Sequence, residues 1–447
     1  MAESENKTET SEHTKPESAG TAEEKKPNEK VDVKQVPSPE VPHHRHIALC
    51  AFGGTKHVHV ESVEDRKPGK NEVEIEVEAC GVNFLDIMGR QGLLDQPIKP
   101  PFTMGSECAG IVHAVGDGVK KYKVGDKVVV LMETGAWSER LVLPVPEEVE
   151  KSDAAAATSA TAAAAPSDDT TSESRKPNSS VILPWPSGLT GPKASIIAFA
   201  YLPAYILLNK IANVHSGDVV LVHSAGGGVG SAIGQLAKQI PNVKLLGTAS
   251  AHKHEKLTSF YGHLFTPDQD CVAEIRKLYP KGIDVILDCL SGEDMNKSYG
   301  LLKPLGKYIL YGMSNLVTGD RKNFFSLARH WFHVERINPL RLHDENRMLG
   351  GFSLKSLLFP RQPNTHDHTD IITGVWKELT HMIEKKQIDP WIDSEWGFDE
   401  IKEAMMRLQE RKNIGKVVLL PKKKPKPTEQ PSQHHEAPEK ATAHEAK

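Results

Sequence analysis

The sequence predicts an α/β protein in two parts, a β-rich and mostly antiparallel body with a doubly wound parallel sheet inserted into it, flanked by disordered arms. Three observations predict this. "NEVEIEVEACGVNF" alternates apolar and charged residues like a half-buried strand, with Val73, Ile75 and Val77 on one face. Beyond Gly217 the pattern changes: "DVVLVH", "VKLLGTAS", "IDVILDCL" and "GKYILYG" are continuous apolar runs, each separated from the next by room for a helix. Polar excess is concentrated in three segments whose few large apolar side chains cannot offset the entropy of ordering a backbone.

Residues 1–42 form the first arm, nearly all Glu, Lys, Ser, Thr and Pro. It opens with Glu3, Glu5 and Glu9 and shows no apolar stretch, which argues against a cleaved secretory signal and leads to an expected cytoplasmic location. The body follows over 43–191, where "GIVHAVGDGV", "GDKVVVL" and "ERLVLP" are short β-rich pieces separated by Gly and Asp turns. Within it, 151–180 is an Ala/Ser/Thr-rich insertion without amphipathic period, expected to be solvent-exposed. "ASIIAFAYLPAYILL", Ala194 to Leu208, is shorter than the ~20 residues of a membrane span and contains Pro203, so a buried helix is expected.

The parallel sheet is assigned to 192–339, because continuous apolar strands need crossover helices. Residues 340–421 return to the body and end in "FDEIKEAMMRLQERKNIGKVVLLP", an amphipathic helix with Ile401, Met405 and Leu408 on its apolar face, then a strand. Residues 422–447 are a second polar arm. Its Lys422, Lys423, Lys424 and Lys426 are only just numerous enough to attract anionic lipid at a membrane surface, and a solvated tail is the favoured reading.

A formal net charge of −4 offers no broad basic surface and gives no support to a nucleic-acid partner. The five cysteines are scattered and odd in number, with no CxxC pair. That suits a reducing compartment and provides no structural zinc site.

"VVLVHSAGGGVGSAIGQLAKQI" places glycines between an apolar strand and a helix. In a dinucleotide fold G-x-G-x-x-G permits a tight turn, close approach of a pyrophosphate and close packing of helix on sheet. Here the three positions fall on Ala225, Gly227 and Gly230, with Gly226, Gly228 and Val229 between them. The bland reading is a flexible hinge. The strand before it and the helical spacing of Val229, Ile233 and Leu236 after it favour a cofactor cradle. "KLLGTAS" ends without the acidic residue that would bind the adenosine ribose of NAD, and is followed by Ser250, His252, Lys253 and Lys256. These suit a 2′-phosphate and hence NADPH, unless Lys253 merely solvates a helix start.

With "EACGVNFLDIMGRQGL", "GSECAGIVHAVGDGV", "VLVHSAGGGVG", "GTASAHKHE", "LLKPLGKYILYGMSNL" and "RKNIGKVVLLP", the chain resembles the medium-chain dehydrogenase/reductase superfamily, in its quinone oxidoreductase branch. The resemblance implies a GroES-like β-rich catalytic domain, an inserted Rossmann domain, a deep cleft between them, and a homodimer. Zinc-dependent members carry a Cys-His pair and "GHE" where this chain has Asn83, Phe84 and "GSE" with Ser106. An amide and a hydroxyl are poor zinc ligands, so no metal is expected. What remains is hydride transfer from NADPH to an electron-poor acceptor, a small-molecule quinone or α,β-unsaturated carbonyl (enone).

In that chemistry Asn83 is the first candidate to hydrogen-bond near the nicotinamide or the substrate carbonyl. Asp86 is either a second catalytic contact or a structural cap. The resemblance places Gly312 and Met313 along the nicotinamide site, Phe352 over it, and Asn413 with Lys416 at the far side of the cofactor. Their bland readings are a strand-end turn, a core aromatic and a solvated lysine. Against full activity, active relatives carry an Asn and a Thr in the helix before the Rossmann domain, where "AYLPAY" places Ala200 and Pro203. The alternative function is therefore a catalytically weak NADPH-binding protein that associates with a membrane or a partner.

Overall fold

The computed structural model describes residues 41–95, 97–145, 180–292, 294–317, 319–320, 338–360 and 369–424. Nearly all of the predicted first arm, of the insertion and of the second arm lies outside the described residues. Ser180, assigned to the insertion, opens a strand, Ser180–Pro184.

The described residues from Pro42 onward form one compact unit. Its body is a seven-stranded sheet in the order Ile392–Gly397, Lys416–Leu420, Glu72–Val82, Glu107–Val115, Lys127–Met132 and Ser180–Pro184, with Arg140–Pro144 also pairing to Glu72–Val82. The pairings are antiparallel except between Ile392–Gly397 and Lys416–Leu420. The last strand, Lys416–Leu420, thus lies beside Glu72–Val82. Val73, Ile75 and Val77 are fully buried, and Ile401 and Met405 pack into the same core with Leu408 half-buried at its margin.

The second sheet has six strands, all parallel, in the order His263–Phe265, Lys244–Thr248, Val219–Val222, Ile283–Asp288, Leu302–Leu310 and Met348–Gly351. It runs past the boundary at 339 that the sequence suggests. The edge strand Met348–Gly351 contains two glycines and is partly exposed, so it lacks the apolar run by which a buried parallel strand is recognised. Helix Thr369–Glu384, also assigned to the return segment, packs Val375, Trp376 and Leu379 into the core shared with helix Ile197–Tyr205. The return to the body therefore begins only at Ile392–Gly397.

Helix Ile197–Tyr205 is the buried element expected around Pro203, and it continues into a π-helical turn, Ile206–Ile211. Among the described residues no helix is long and apolar enough to cross a membrane.

Candidate functional site

The turn between Val219–Val222 and helix Gly228–Ala237 meets the body at a cleft of about 280 Å³. From the body come Asn83, Met88, Leu408, Asn413 and Lys416; from the parallel-sheet side come Gly227, Gly228, Val229, Gly230, Lys253, Gly312, Met313 and Phe352. All of these but Met88 and Leu408 are residues that the sequence singles out as site candidates, scattered over more than three hundred positions. A second, more polar chamber of about 520 Å³ adjoins it, lined by Gly226 and Ser250 among others; Ser224, Lys253 and Arg411 line both.

The glycines of the turn are required by close approach. A Cβ on Gly230 would overlap the main chain of Ser224 and Ala225, with Ala225 Cα at 2.8 Å. One on Gly226 would meet Lys253 Cδ at 2.8 Å, and one on Gly228 would meet Lys416 Cδ at 2.6 Å. Ala225, expected as a cofactor contact, instead lies fully buried beneath the turn, its N–H donating to Thr248 O at 2.9 Å. A methyl is tolerated there because the residue packs into the core. The residue before it, Ser224, adopts φ +60°, a left-handed conformation that usually calls for glycine.

The floor of the cleft is a buried ion pair. Lys416 Nζ donates to Glu107 Oε1 at 2.7 Å, Asn83 Oδ1 at 2.5 Å and Val82 O at 3.2 Å, which uses all three ammonium hydrogens. Asn83 Nδ2 donates to Glu107 Oε1 at 3.0 Å, and Phe199 N donates to Glu107 Oε2 at 2.9 Å. Glu107 is fully buried and Lys416 nearly so. Lys416 therefore lines the cleft with its stem, while its charge holds body and helix together. Asn83 retains one amide hydrogen and one carbonyl lone pair beyond these contacts.

Asp86 does not line the cleft. Its carboxylate accepts from Asn83 N at 2.7 Å and closes the first turn of helix Phe84–Gln91, with Ser106 Oγ at 3.5 Å. Burial pushes its carboxyl up to about 7, against the opposing Asn83 N–H and the Lys416 charge. Of the two roles the sequence allows, the geometry is that of the cap.

Zinc does not fit these donors. Of the two replaced ligand positions, Asn83 is joined with the neighbouring Glu107 to the Lys416 ammonium, and Ser106 points to Asp86 and to Glu133 O at 3.4 Å. A cation placed there would face the Lys416 ammonium that already neutralises Glu107, with an amide and a hydroxyl in place of two ligands.

A nicotinamide dinucleotide does fit. Glycines whose Cβ positions are already filled leave main chain as the wall of the turn, and the helix N-terminus behind them favours phosphate oxygens. Beyond the turn, Lys253 is buried and donates to Asn413 O at 2.7 Å, while Asn413 Nδ2 donates to Gly415 O at 2.8 Å. Desolvation lowers the Lys253 ammonium to about 8; Asp393 opposes this, and Arg411 and Arg407 add to it. His252 and Lys256 are exposed and line neither chamber.

The sequence reading missed Arg411. "QERKN" looks like a solvated helix end, and only folding places Arg411 between the two chambers, at φ +56°. Cys289 and Tyr311, also in the wall, carried no distinguishing signal either.

Because burial brings the Lys253 ammonium down to about 8, and an ammonium that holds a phosphate must be charged to act, affinity should fall as pH rises through about 8. Titrations of NADPH from pH 7 to 9.5 are expected to weaken by up to about tenfold per unit above that point. Lys253→Met should bind more weakly at pH 7 and show a flatter profile. A wild-type profile flat across this range would exclude the contact.

Residues 69–145 match the alcohol dehydrogenase GroES-like domain family, and residues 265–419 match the zinc-binding dehydrogenase family. The synaptic vesicle membrane protein VAT-1 homolog-like of Mus musculus is 40% identical over 383 residues, covering 86% of this chain and 82% of that protein. The crystal structure of the human synaptic vesicle membrane protein VAT-1 homolog-like protein superposes with a TM-score of 0.67 at 35% identity, covering 86% of this chain and 99% of the other. Mycobacterial Rv1454c, solved complexed with NADPH, superposes with a TM-score of 0.65 at 25% identity, covering 85% of this chain and all (100%) of its own. The chain belongs to the medium-chain dehydrogenase/reductase superfamily of oxidoreductases, in the family of the VAT-1 homologues.

Proposed function

We propose that this protein is a zinc-independent, NADPH-dependent oxidoreductase that reduces a quinone or an α,β-unsaturated carbonyl. The observation that carries the reading is the closely packed glycine turn opening into a cleft walled mainly by apolar side chains, with Lys253 and Arg411 at its polar end. A relative of the same fold complexed with NADPH supports the cofactor.

Bound NADPH supplies a hydride to an acceptor that is already electron-poor. The chain's own residues do the rest. Main-chain N–H groups of Gly228, Val229 and Gly230 hold the pyrophosphate, while Lys253 and Arg411 neutralise the remaining phosphate and Ser250 hydrogen-bonds to it. Gly312, Met313 and Phe352 line the apolar end with Phe84, Leu85 and Met88, a surface suited to a flat, uncharged acceptor. Asn83 offers its remaining amide hydrogen to a carbonyl oxygen. Burial raises the Cys289 thiol to about 12 and the Tyr311 phenol well above its ordinary value, so neither readily releases a proton at neutral pH. The proton that completes the reduction is assigned to solvent.

One observation favours the weaker alternative, an NADPH-binding protein with little turnover. Pro203 stands in the cleft wall where active relatives carry a threonine hydroxyl. The names of the relatives speak of a vesicle membrane, but the lysines expected to attract lipid are partly engaged: Lys422 pairs with Glu76, and Lys423 donates to Glu395 O at 2.5 Å. A spectrophotometric assay of NADPH oxidation over a panel of quinones and enones, run beside a binding titration, separates the two. Turnover with at least one acceptor is expected. Saturable binding with every acceptor inert would leave only the binding function.

A further inference from the structure

Helix Ile197–Tyr205 carries a proline at its seventh position, and both Phe199 and Pro203 line the cleft. These residues are i and i+4, one turn apart on the same helical face. In an uninterrupted helix the Phe199 carbonyl would accept from the N–H at 203. Proline has no N–H, and its ring pushes the preceding carbonyl aside. The gap in the backbone ladder therefore lies on the side facing the cleft. The Phe199 main chain is also tethered from below, since its own N–H donates to Glu107 Oε2 at 2.9 Å, and Glu107 is held by Lys416 and Asn83. The acceptor sits on a rigid base rather than on a loop. Ala200 beside it is fully buried and contributes only a methyl group.

We infer that the Phe199 main-chain carbonyl, released by Pro203, is a positioning acceptor for the carboxamide N–H₂ of the bound nicotinamide. The inference rests on the reading of the cleft as a dinucleotide site and deepens it. Where active relatives place a hydroxyl, this chain uses the backbone of the preceding turn. A partly buried carbonyl without its helical partner gains from any donor brought to it, and it repels a carboxylate in the same place.

The test compares dissociation constants of the full-length protein for NADP⁺, for its nicotinic acid counterpart in which a carboxylate replaces the carboxamide, and for 2′,5′-ADP, which lacks the nicotinamide half. The wild type should prefer the carboxamide form by on the order of tenfold or more. Pro203→Ala restores an N–H that occupies the Phe199 carbonyl, and should remove most of that preference while leaving 2′,5′-ADP affinity within about twofold. Pro203→Val, closer to proline in volume, supplies the same N–H as a second arm should the alanine variant fold poorly. Equal binding of the two dinucleotides by the wild type, or a preference that survives both substitutions, overturns the inference. If 2′,5′-ADP and NADP⁺ both fail to bind the wild type, the dinucleotide site itself is refuted, a result distinct from a lost carboxamide preference.

Discussion

Lys416→Met is expected to destabilise the protein by about 3–5 kcal/mol, the largest effect of any single substitution considered for this site, because it strands the fully buried Glu107 carboxylate without its cation. The loss is not confined to one bond. Glu107 also accepts from Asn83 and from Phe199 N, so a carboxylate driven to take up a proton or to move would loosen both the first turn of helix Phe84–Gln91 and the start of helix Ile197–Tyr205. Thermal or denaturant unfolding checks this, and the double variant Lys416→Met with Glu107→Gln should recover a large part of the loss by removing the orphaned charge. A single variant as stable as the wild type would show that Glu107 is not charged in the fold. Because the ammonium is spent on three acceptors, a reduced rate in this variant reports lost geometry.

Gly230→Ala is expected to abolish measurable cofactor binding and to cost about 1–3 kcal/mol of stability. The added methyl would overlap main chain, Ser224 O and Ala225, which cannot rotate aside as a side chain can. Helix Gly228–Ala237 must back away from Val219–Val222, and the N–H groups of the turn move with it. Gly228→Ala is the informative contrast, since its methyl meets only the Lys416 stem at 2.6 Å, and it should be the milder lesion. Titration with NADPH and thermal unfolding of both variants give the ranking; a Gly230→Ala protein that binds as the wild type does would exclude the turn as the phosphate cradle.

Much of this site is legible in the chain because its glycines obey local rules. The approach of helix to strand at Gly230 follows from a motif only six residues long, and the apolar runs on either side fix its place in a parallel sheet. Asp86 shows where local reading stops: its distance of three residues from Asn83 suits a cap and a catalytic contact equally, and only the direction of its carboxylate separates them. Lys253 was legible as a basic residue after the second strand of the motif, but not as one whose proton is held weakly by burial. Arg411 and the edge strand Met348–Gly351 were missed for a common reason: each is partly exposed, and neither carries the periodicity that burial imposes.

By itself the sequence determined the two sheet types, the glycine turn, the amide and hydroxyl at Asn83 and Ser106, and the proline at 203. Each is written in neighbouring residues, through side-chain period, backbone freedom or ligand chemistry. Only the tertiary structure decided that Lys416 serves Glu107, that Asp86 faces its own helix, and that Phe199 and Pro203 share the cleft wall with Gly228. Those facts join positions as far as 309 residues apart, and the physical reason they are unreadable in one dimension is that burial, charge pairing and the direction of a hydrogen bond belong to the packed interior.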